Sequence, residues 1–170
     1  MPLSKNIQNK MRDLKSHFPT EQALLIPLLH ALQEEHGWIS LENMKEAASF
    51  LNLPLMKVRE VVSFYTMFNQ KPIGKIHLQI CTNISCWLKG ADHLLECAEK
   101  KLKIKSGETT EDGKFTISKV ECLGSCGTAP VLQMNEEYFE NLSADHLNEL
   151  LKKWELELNE GKTHLGKVQL

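Results

Sequence analysis

The sequence predicts an α+β protein, with an N-terminal helical domain followed by a small mixed unit of strands and helices. Three observations predict it. Apolar residues over the first seventy positions recur at helical spacing. The stretch NQKPIGK, residues 69–75, is polar and carries Pro72 and Gly74, the composition of a linker. Beyond it the period changes: in KIHLQIC, Ile76, Leu78 and Ile80 alternate with His77, Gln79 and Cys81, as side chains alternate along a strand. The expected organisation is a helical domain over 1–73, an α+β domain over 74–158, and a tail over 159–170.

The first strong helix lies in TEQALLIPLLHALQEEHG, where Leu24, Leu25, Leu28, Leu29 and Leu32 share a face. Thr20 suits its N-cap and Gly37 its end. Pro27 either kinks it or marks its first turns. A second helix follows Ser40 and carries Met44, Ala47, Ala48 and Leu51. A third begins at Pro54, a favourable first-turn residue, with Val58, Val61, Val62 and Tyr65 on one face. Phe64, Tyr65 and Phe68 suit helix core better than a partner surface.

After the strand at 76–81 comes WLKGADHLLECAEKKL, read as one helix with the stripe Leu88, Ala91, Leu95, Ala98 and Leu102. SGETTEDGKF has hairpin chemistry at Asp112-Gly113. KFTISKV and APVLQMN read as strands, and NEEYF allows a hairpin return. Ser143 caps a last amphipathic helix with Leu147, Leu150, Leu151 and Trp154. The lysines at 100, 101, 103 and 105 read as a solvated helix end, where cations are favourable.

Composition narrows the function. The chain has 170 residues, 42% apolar, with a formal net charge of −2, which does not point to nucleic acid or an anionic membrane surface as the main partner. The longest apolar run, Ala23 to Leu29, is far too short to span a membrane. The N-terminus has neither an apolar signal core nor the Arg/Ser-rich character of a transit peptide. A soluble, non-exported protein in a reducing compartment is expected. Clustered cysteines there favour metal binding or catalysis over structural disulfides.

Of five cysteines, Cys81 and Cys86 form C-x4-C at a strand end, and Cys122 and Cys126 form C-x3-C after a second strand. Parallel strand ends would bring the two loops to one rim. Cys97 lies roughly 140° from the centre of its helix's apolar stripe and reads as a non-ligand. Four thiolates suit zinc or an iron–sulfur cluster. Structural zinc more often uses C-x2-C knuckles, whereas looser pairs suit a 2Fe–2S cluster with one pair per iron. Position 89 is Lys, which breaks the plant-type ferredoxin pattern. No histidine lies between the paired cysteines, so a Rieske site is disfavoured. A zinc-stabilised interaction module and a thiol oxidoreductase stay open on spacing alone, the second weakened by the lack of C-x-x-C. Gly124 and Gly127 allow backbone N–H groups close to sulfur.

The segments SFYTMF, KPIGK, CTNISC, GETTEDGKF and VECLGSCGTAPVLQMN together resemble the small 2Fe–2S subunit of the NADH-oxidising module of respiratory complex I. Related subunits serve NAD-linked hydrogenases and formate dehydrogenases. The resemblance runs from about Leu24 to Leu151. It implies a thioredoxin-like ferredoxin domain preceded by a helical domain. It also implies one 2Fe–2S cluster held by Cys81, Cys86, Cys122 and Cys126, with Cys97 matching no ligand. The implied partners are a larger subunit holding FMN, the NADH site and a 4Fe–4S cluster, and other subunits of the peripheral arm. The implied work is single-electron exchange with that FMN, without catalysis by the chain alone. The implied place is the cytoplasmic face of a bacterial inner membrane, without direct membrane insertion. Consistent with this division, the chain has no G-x-G-x-x-G and no P-loop.

Two further residues stand near the cysteines. His77 shares a strand face with Cys81 and reads as a solvated strand histidine rather than a tuner of the site. Trp87 follows Cys86 directly, and either shielding or packing accounts for it. The GETTEDG segment is as well explained by a surface hairpin as by a flavoprotein contact.

Overall fold

The computed structural model describes residues 3–161. The chain divides into two compact units, one ending at Pro72 and the other beginning at Ile73. Each has its own apolar core.

The first unit is all helical. Helix α1, Lys5–Leu14, starts at Ser4, whose hydroxyl accepts from the Ile7 N–H at 3.3 Å. It buries Ile7 and Met11. Leu3, Ile7 and Met11 recur every fourth residue, a spacing that signals this helix once its burial is known. Thr20 caps a short 3-10 turn, Glu21–Leu24, that leads into α2, Leu25–His36. Pro27 is the third residue of α2, inside the first turn, where its missing N–H has no helical partner to lose. Gly37 ends α2 in the left-handed region at φ 79°, the conformation glycine adopts most cheaply. Helix α3, Leu41–Phe50, begins with a reciprocal capping box between Ser40 and Asn43. Helix α4, Leu55–Phe64, follows Pro54, which sits at the N-cap.

Two expectations fail in α4. The helix stops at Phe64, so Tyr65 is its extended C-cap residue and not part of the helical face. Phe64 is not core: it is 77% exposed, while Phe68 is buried. Helical geometry explains it, since Phe64 lies roughly 120–160° around the helix from the buried Val58 and Val62.

The second unit is a four-stranded sheet with helices. Its elements are β1 Ile76–Cys81, α5 Ile84–Leu88, α6 Ala91–Leu102, β2 Phe115–Val120, β3 Leu132–Met134, β4 Glu137–Phe139 and α7 Ala144–Asn159. The strand order is β2-β1-β3-β4. β1 pairs parallel with β2 and antiparallel with β3, and β3 and β4 form the hairpin. Ile76, Leu78 and Ile80 point to one face and pack with Ile117, Leu94, Leu95, Leu147, Leu151 and Trp154. That face is the core, and it holds α6 and α7 against the sheet.

The single helix expected after Cys86 is two. Gly90, at φ 91°, breaks it. Leu88 therefore leaves the stripe and is 70% exposed on α5, while Leu94 joins the buried face of α6. Of the segment read as a tail, Asn159 completes α7 and residues 162–170 lie outside the described residues. Among the described residues no helix is long and apolar enough to cross a membrane.

Candidate metal centre

The parallel pairing of β1 and β2 builds the site. Cys81, the last residue of β1, is the register partner of Val120, the last residue of β2. Both strands therefore leave the sheet at one rim, β1 into the loop that carries Cys86 and β2 into the loop that carries Cys122 and Cys126. The junction is tied by the backbone: the Thr82 N–H donates to the Val120 carbonyl at 3.0 Å, and the Cys81 N–H to the Val131 carbonyl at 3.2 Å. The Cys81 thiol lies 3.9 Å from the carbonyl oxygen of Glu121, the residue next to Cys122.

The first pair is buried and the second exposed. Cys81 and Cys86 pack with Ala91 and Val131, and Val120, Leu123 and Ala129 close the wall around them. Cys86 is the third residue of α5, whose start is capped by Asn83, and the helix turns that one side chain inward. Its neighbours Ile84, Trp87 and Leu88 point outward, 71%, 56% and 70% exposed. Burial pushes the Cys86 thiol above its ordinary value. A hydrogen bond with Cys81 and the nearness of Cys81 and Cys126 push the same way, against a lowering contact with the Val131 backbone. Cys81 and Cys126 thus lie near enough to Cys86 to disfavour its thiolate. Cys122 and Cys126 lie at the surface. Gly124, at φ 76°, turns its N–H onto the Cys122 sulfur at 3.3 Å, a donor that stabilises thiolate charge. Gly127 lies in the 3-10 turn Cys126–Thr128.

The sequence did not point to the residues that hold this second loop. The Ser125 hydroxyl donates to Glu140, and the Ser125 and Thr128 hydroxyls are 2.6 Å apart. Hydrogen bonds from both hydroxyls keep the Glu140 carboxyl below the usual carboxylate range, the Ser125 bond foremost. Polar residues at the middle and flank of a cysteine loop are the only sequence signal, and it does not reveal an acceptor fifteen residues away.

The other candidate residues fall elsewhere. Cys97 is half-buried on α6 and 3.7 Å from the His93 ring, as an i, i+4 pair. His77 is not solvated: it is 7% exposed, with its ring 2.8 Å from the Ser118 hydroxyl and 3.3 Å from the Gln79 amide. Burial lowers its pKa to about 4. Four residues along an extended strand put it roughly 13 Å from Cys81. Trp87 packs into no core. The GETTEDG segment is a surface turn, where Thr110 and Asp112 bond each other and Gly113 closes the chain back to Thr110. Lys105 and Lys100 are exposed and pair with Glu99 and Glu96.

Among the described residues, no group of three or more His, Cys, Asp or Glu side chains is placed to hold a metal ion. Two thiols leave each of two loops, and all five cysteines are free. Two pairs of soft sulfur donors on an apolar wall fit a group of two irons that takes two thiolates each.

A family model for thioredoxin-like 2Fe-2S ferredoxins matches residues 11–155. The chain is 41% identical over 163 residues to the E-type subunit of NADH-quinone oxidoreductase from Rickettsia prowazekii (strain Madrid E), covering 95% of this chain and 90% of that one. It is 42% identical over 139 residues to a second such relative, the E-type subunit numbered 2 from Rhizobium meliloti (strain 1021), covering 82% and 83%. Among solved structures, it superposes on NAD+-reducing NiFe-hydrogenase in the air-oxidized state with a TM-score of 0.71. That likeness is at 19% identity, covers 82% of this chain and spans 24% of the hydrogenase chain, so it speaks for the fold alone.

Proposed function

The chain belongs to the thioredoxin-like 2Fe-2S ferredoxin family, and on that premise we propose that Cys81, Cys86, Cys122 and Cys126 hold one 2Fe–2S cluster. The chain is an electron-transfer subunit of an NADH-quinone oxidoreductase, in keeping with its relatives at about 41% identity over most of their length. The observation that carries the ligand assignment is the register of Cys81 with Val120, which delivers both cysteine loops to one rim.

When bound, a 2Fe–2S group takes up and returns one electron at a time, at low potential under all-thiolate ligation. The chain supplies the rest. Cys81 and Cys86 would supply two of its thiolates, and Ala91 and Val131, buried with them, would exclude water there. Cys122 and Cys126, exposed at the surface, would supply the other two thiolates on the side open to an electron-transfer partner. The Gly124 N–H offsets charge on the Cys122 sulfur.

We place the electron donor on a partner subunit that binds FMN and NADH. The support is the division of labour: the described residues hold a thiol site and apolar side chains beside it, Ile84, Trp87 and Leu88, exposed on the helix that carries Cys86. The assembly would stand at the cytoplasmic face of the membrane. The helical first unit, with its exposed Met56 and Phe64, would add contacts to neighbouring subunits.

Iron and acid-labile sulfide analysis of the purified chain tests the site. About two of each per chain is the expected result, with a brown colour that dithionite bleaches. A colourless protein with one zinc per chain would refute the assignment.

A further inference from the structure

We propose that Glu140 is a positioning residue for the metal centre: through Ser125 it fixes the loop between Cys122 and Cys126, and its carboxylate charge holds down the centre's reduction potential. The inference rests on the ligand assignment above and adds a residue that lies outside both cysteine motifs.

The geometry is a three-part brace. Ser125 immediately precedes Cys126. Its single hydroxyl proton goes to Glu140, and the Thr128 hydroxyl stands 2.6 Å from the Ser125 oxygen. The Thr128 N–H closes the turn onto the Ser125 carbonyl at 3.2 Å. Glu140 is itself held in place by the two residues after it. The Asn141 N–H donates to the Thr128 carbonyl at 2.7 Å, and the Leu142 N–H to the Pro130 carbonyl at 3.1 Å. Leu142 is buried in the core, and Ser143 starts α7. The segment between β4 and α7 is thus fastened along the loop after Cys126, and Glu140 reaches from it to the one residue inside the C-x3-C motif that offers a hydroxyl.

The charge has a direction. The Glu140 carboxyl, held below the usual carboxylate range with the Ser125 hydrogen bond foremost, carries a negative charge at neutral pH. A fixed negative charge one residue from a ligand opposes the addition of an electron to an already anionic centre. Because Glu140 is exposed, salt screens that part of its effect. The brace acts separately, by limiting how far Cys126 moves from its metal.

The test uses the full chain carrying its cluster, with E140Q, E140D and S125A beside the wild type. Midpoint potential is measured by dye-mediated titration at low salt and at about 1 M salt, where the screening length is near 3 Å. Loss of visible absorbance under a chelator reports loop stability. E140Q is expected to raise the potential at low salt, with the difference shrinking at high salt, and E140D to restore the wild-type value. S125A is expected to lose its cluster several-fold faster. An E140Q potential equal to wild type at low salt, or an S125A cluster that persists as long as the wild type, would overturn the proposal. A wild-type chain without iron and sulfide would remove the ligand assignment and this inference together, whereas a loaded wild type with an unmoved E140Q removes this inference alone.

Discussion

Cys81 and Val120 are register partners at the ends of two parallel strands. The same ladder pairs Ile76 with Phe115 and Leu78 with Ile117, four buried residues of the core. A slip of one residue would turn Phe115 and Ile117 out of that core, so burial enforces the register, and the register places the thiols. The site is in this sense a consequence of the hydrophobic pattern of two strands.

Replacing any one of Cys81, Cys86, Cys122 or Cys126 by Ala should abolish or badly destabilise the cluster, because an iron is left with an open position. Cys97→Ala should keep the full visible spectrum, since Cys97 sits on α6 beside His93. Iron content after reconstitution checks both. A Cys86→Ala variant that loads normally, beside a Cys97→Ala variant that does not, would sink the assignment.

Gly74→Ala should destabilise the second unit by about 1–3 kcal/mol, the usual range for overpacking. A Cβ at Gly74 would stand 2.7 Å from the Phe115 carbonyl carbon and 2.8 Å from that of Lys114, and backbone cannot step aside as a side chain can. The Gly74 N–H also donates to the Thr116 hydroxyl at 2.6 Å, a bond the shift would strain. Denaturant midpoints of the two proteins measure the effect. Equal midpoints would mean the strands open at no cost.

Stability should fall as pH drops from 6.5 towards 4, in part through His77. Its folded pKa is lowered by burial from 6.5 to about 4, so the unfolded chain takes up a proton in that window and the folded chain does not. The contribution is fully present above pH 6.5 and lost on the way down, to a total of roughly 3 kcal/mol. The ring's hydrogen-bond partners, Ser118 and Gln79, are uncharged, so neither compensates a positive charge. Carboxylates titrate nearby, so the comparison is of slopes. His77→Gln should flatten the decline between these pH values, and an unchanged slope would remove His77 as its source.

The sequence carried the parts of this structure that depend on local spacing. The alternation of Ile76, Leu78 and Ile80 marked β1, and Ser40, Pro54 and Ser143 marked helix starts, because caps and pleats are read over a few residues. The two cysteine pairs were legible for the same reason. What was missed depends on partners far along the chain. His77 looks solvated until Ser118 and its surroundings close over it. Phe64 looks like core until the end of α4 fixes its angle. Glu140 carries no local sign that it reaches Ser125, fifteen residues earlier. Gly90 was visible, but an isolated glycine inside a helical pattern does not announce a break.

A fragment of residues 74–170 should fold and load the cluster, since it carries all four proposed ligand cysteines and a core that draws on no residue before Ile76. The first unit likewise closes its core within Leu3 to Phe68. We therefore propose 1–73 and 74–158 as separate domains. Visible absorbance and circular dichroism of the fragment test this division. A fragment that remains unfolded, while the whole chain folds, would show that the second core is incomplete alone.

NADH should fail to reduce the isolated chain and should reduce it once the flavin-bearing subunit is present. A hydride carries two electrons, and a single-electron centre cannot accept it without an intermediary that splits the pair. The described residues offer a thiol rim with apolar residues beside it, and the sequence has no nucleotide-binding glycine loop. Low potential under thiolate ligation limits how far NADH can drive the reduction, so dithionite sets the full scale of the absorbance change. The flavin must also come close, which makes the rate depend on docking. Trp87→Ser and Leu88→Ser, which remove exposed apolar side chains next to Cys86, should slow reduction by NADH through the partner while leaving reduction by dithionite unchanged. Stopped-flow absorbance with and without the partner measures all of these rates. Rapid bleaching of the isolated chain by NADH would place a nucleotide site on this chain, and the relay reading would then have to be abandoned.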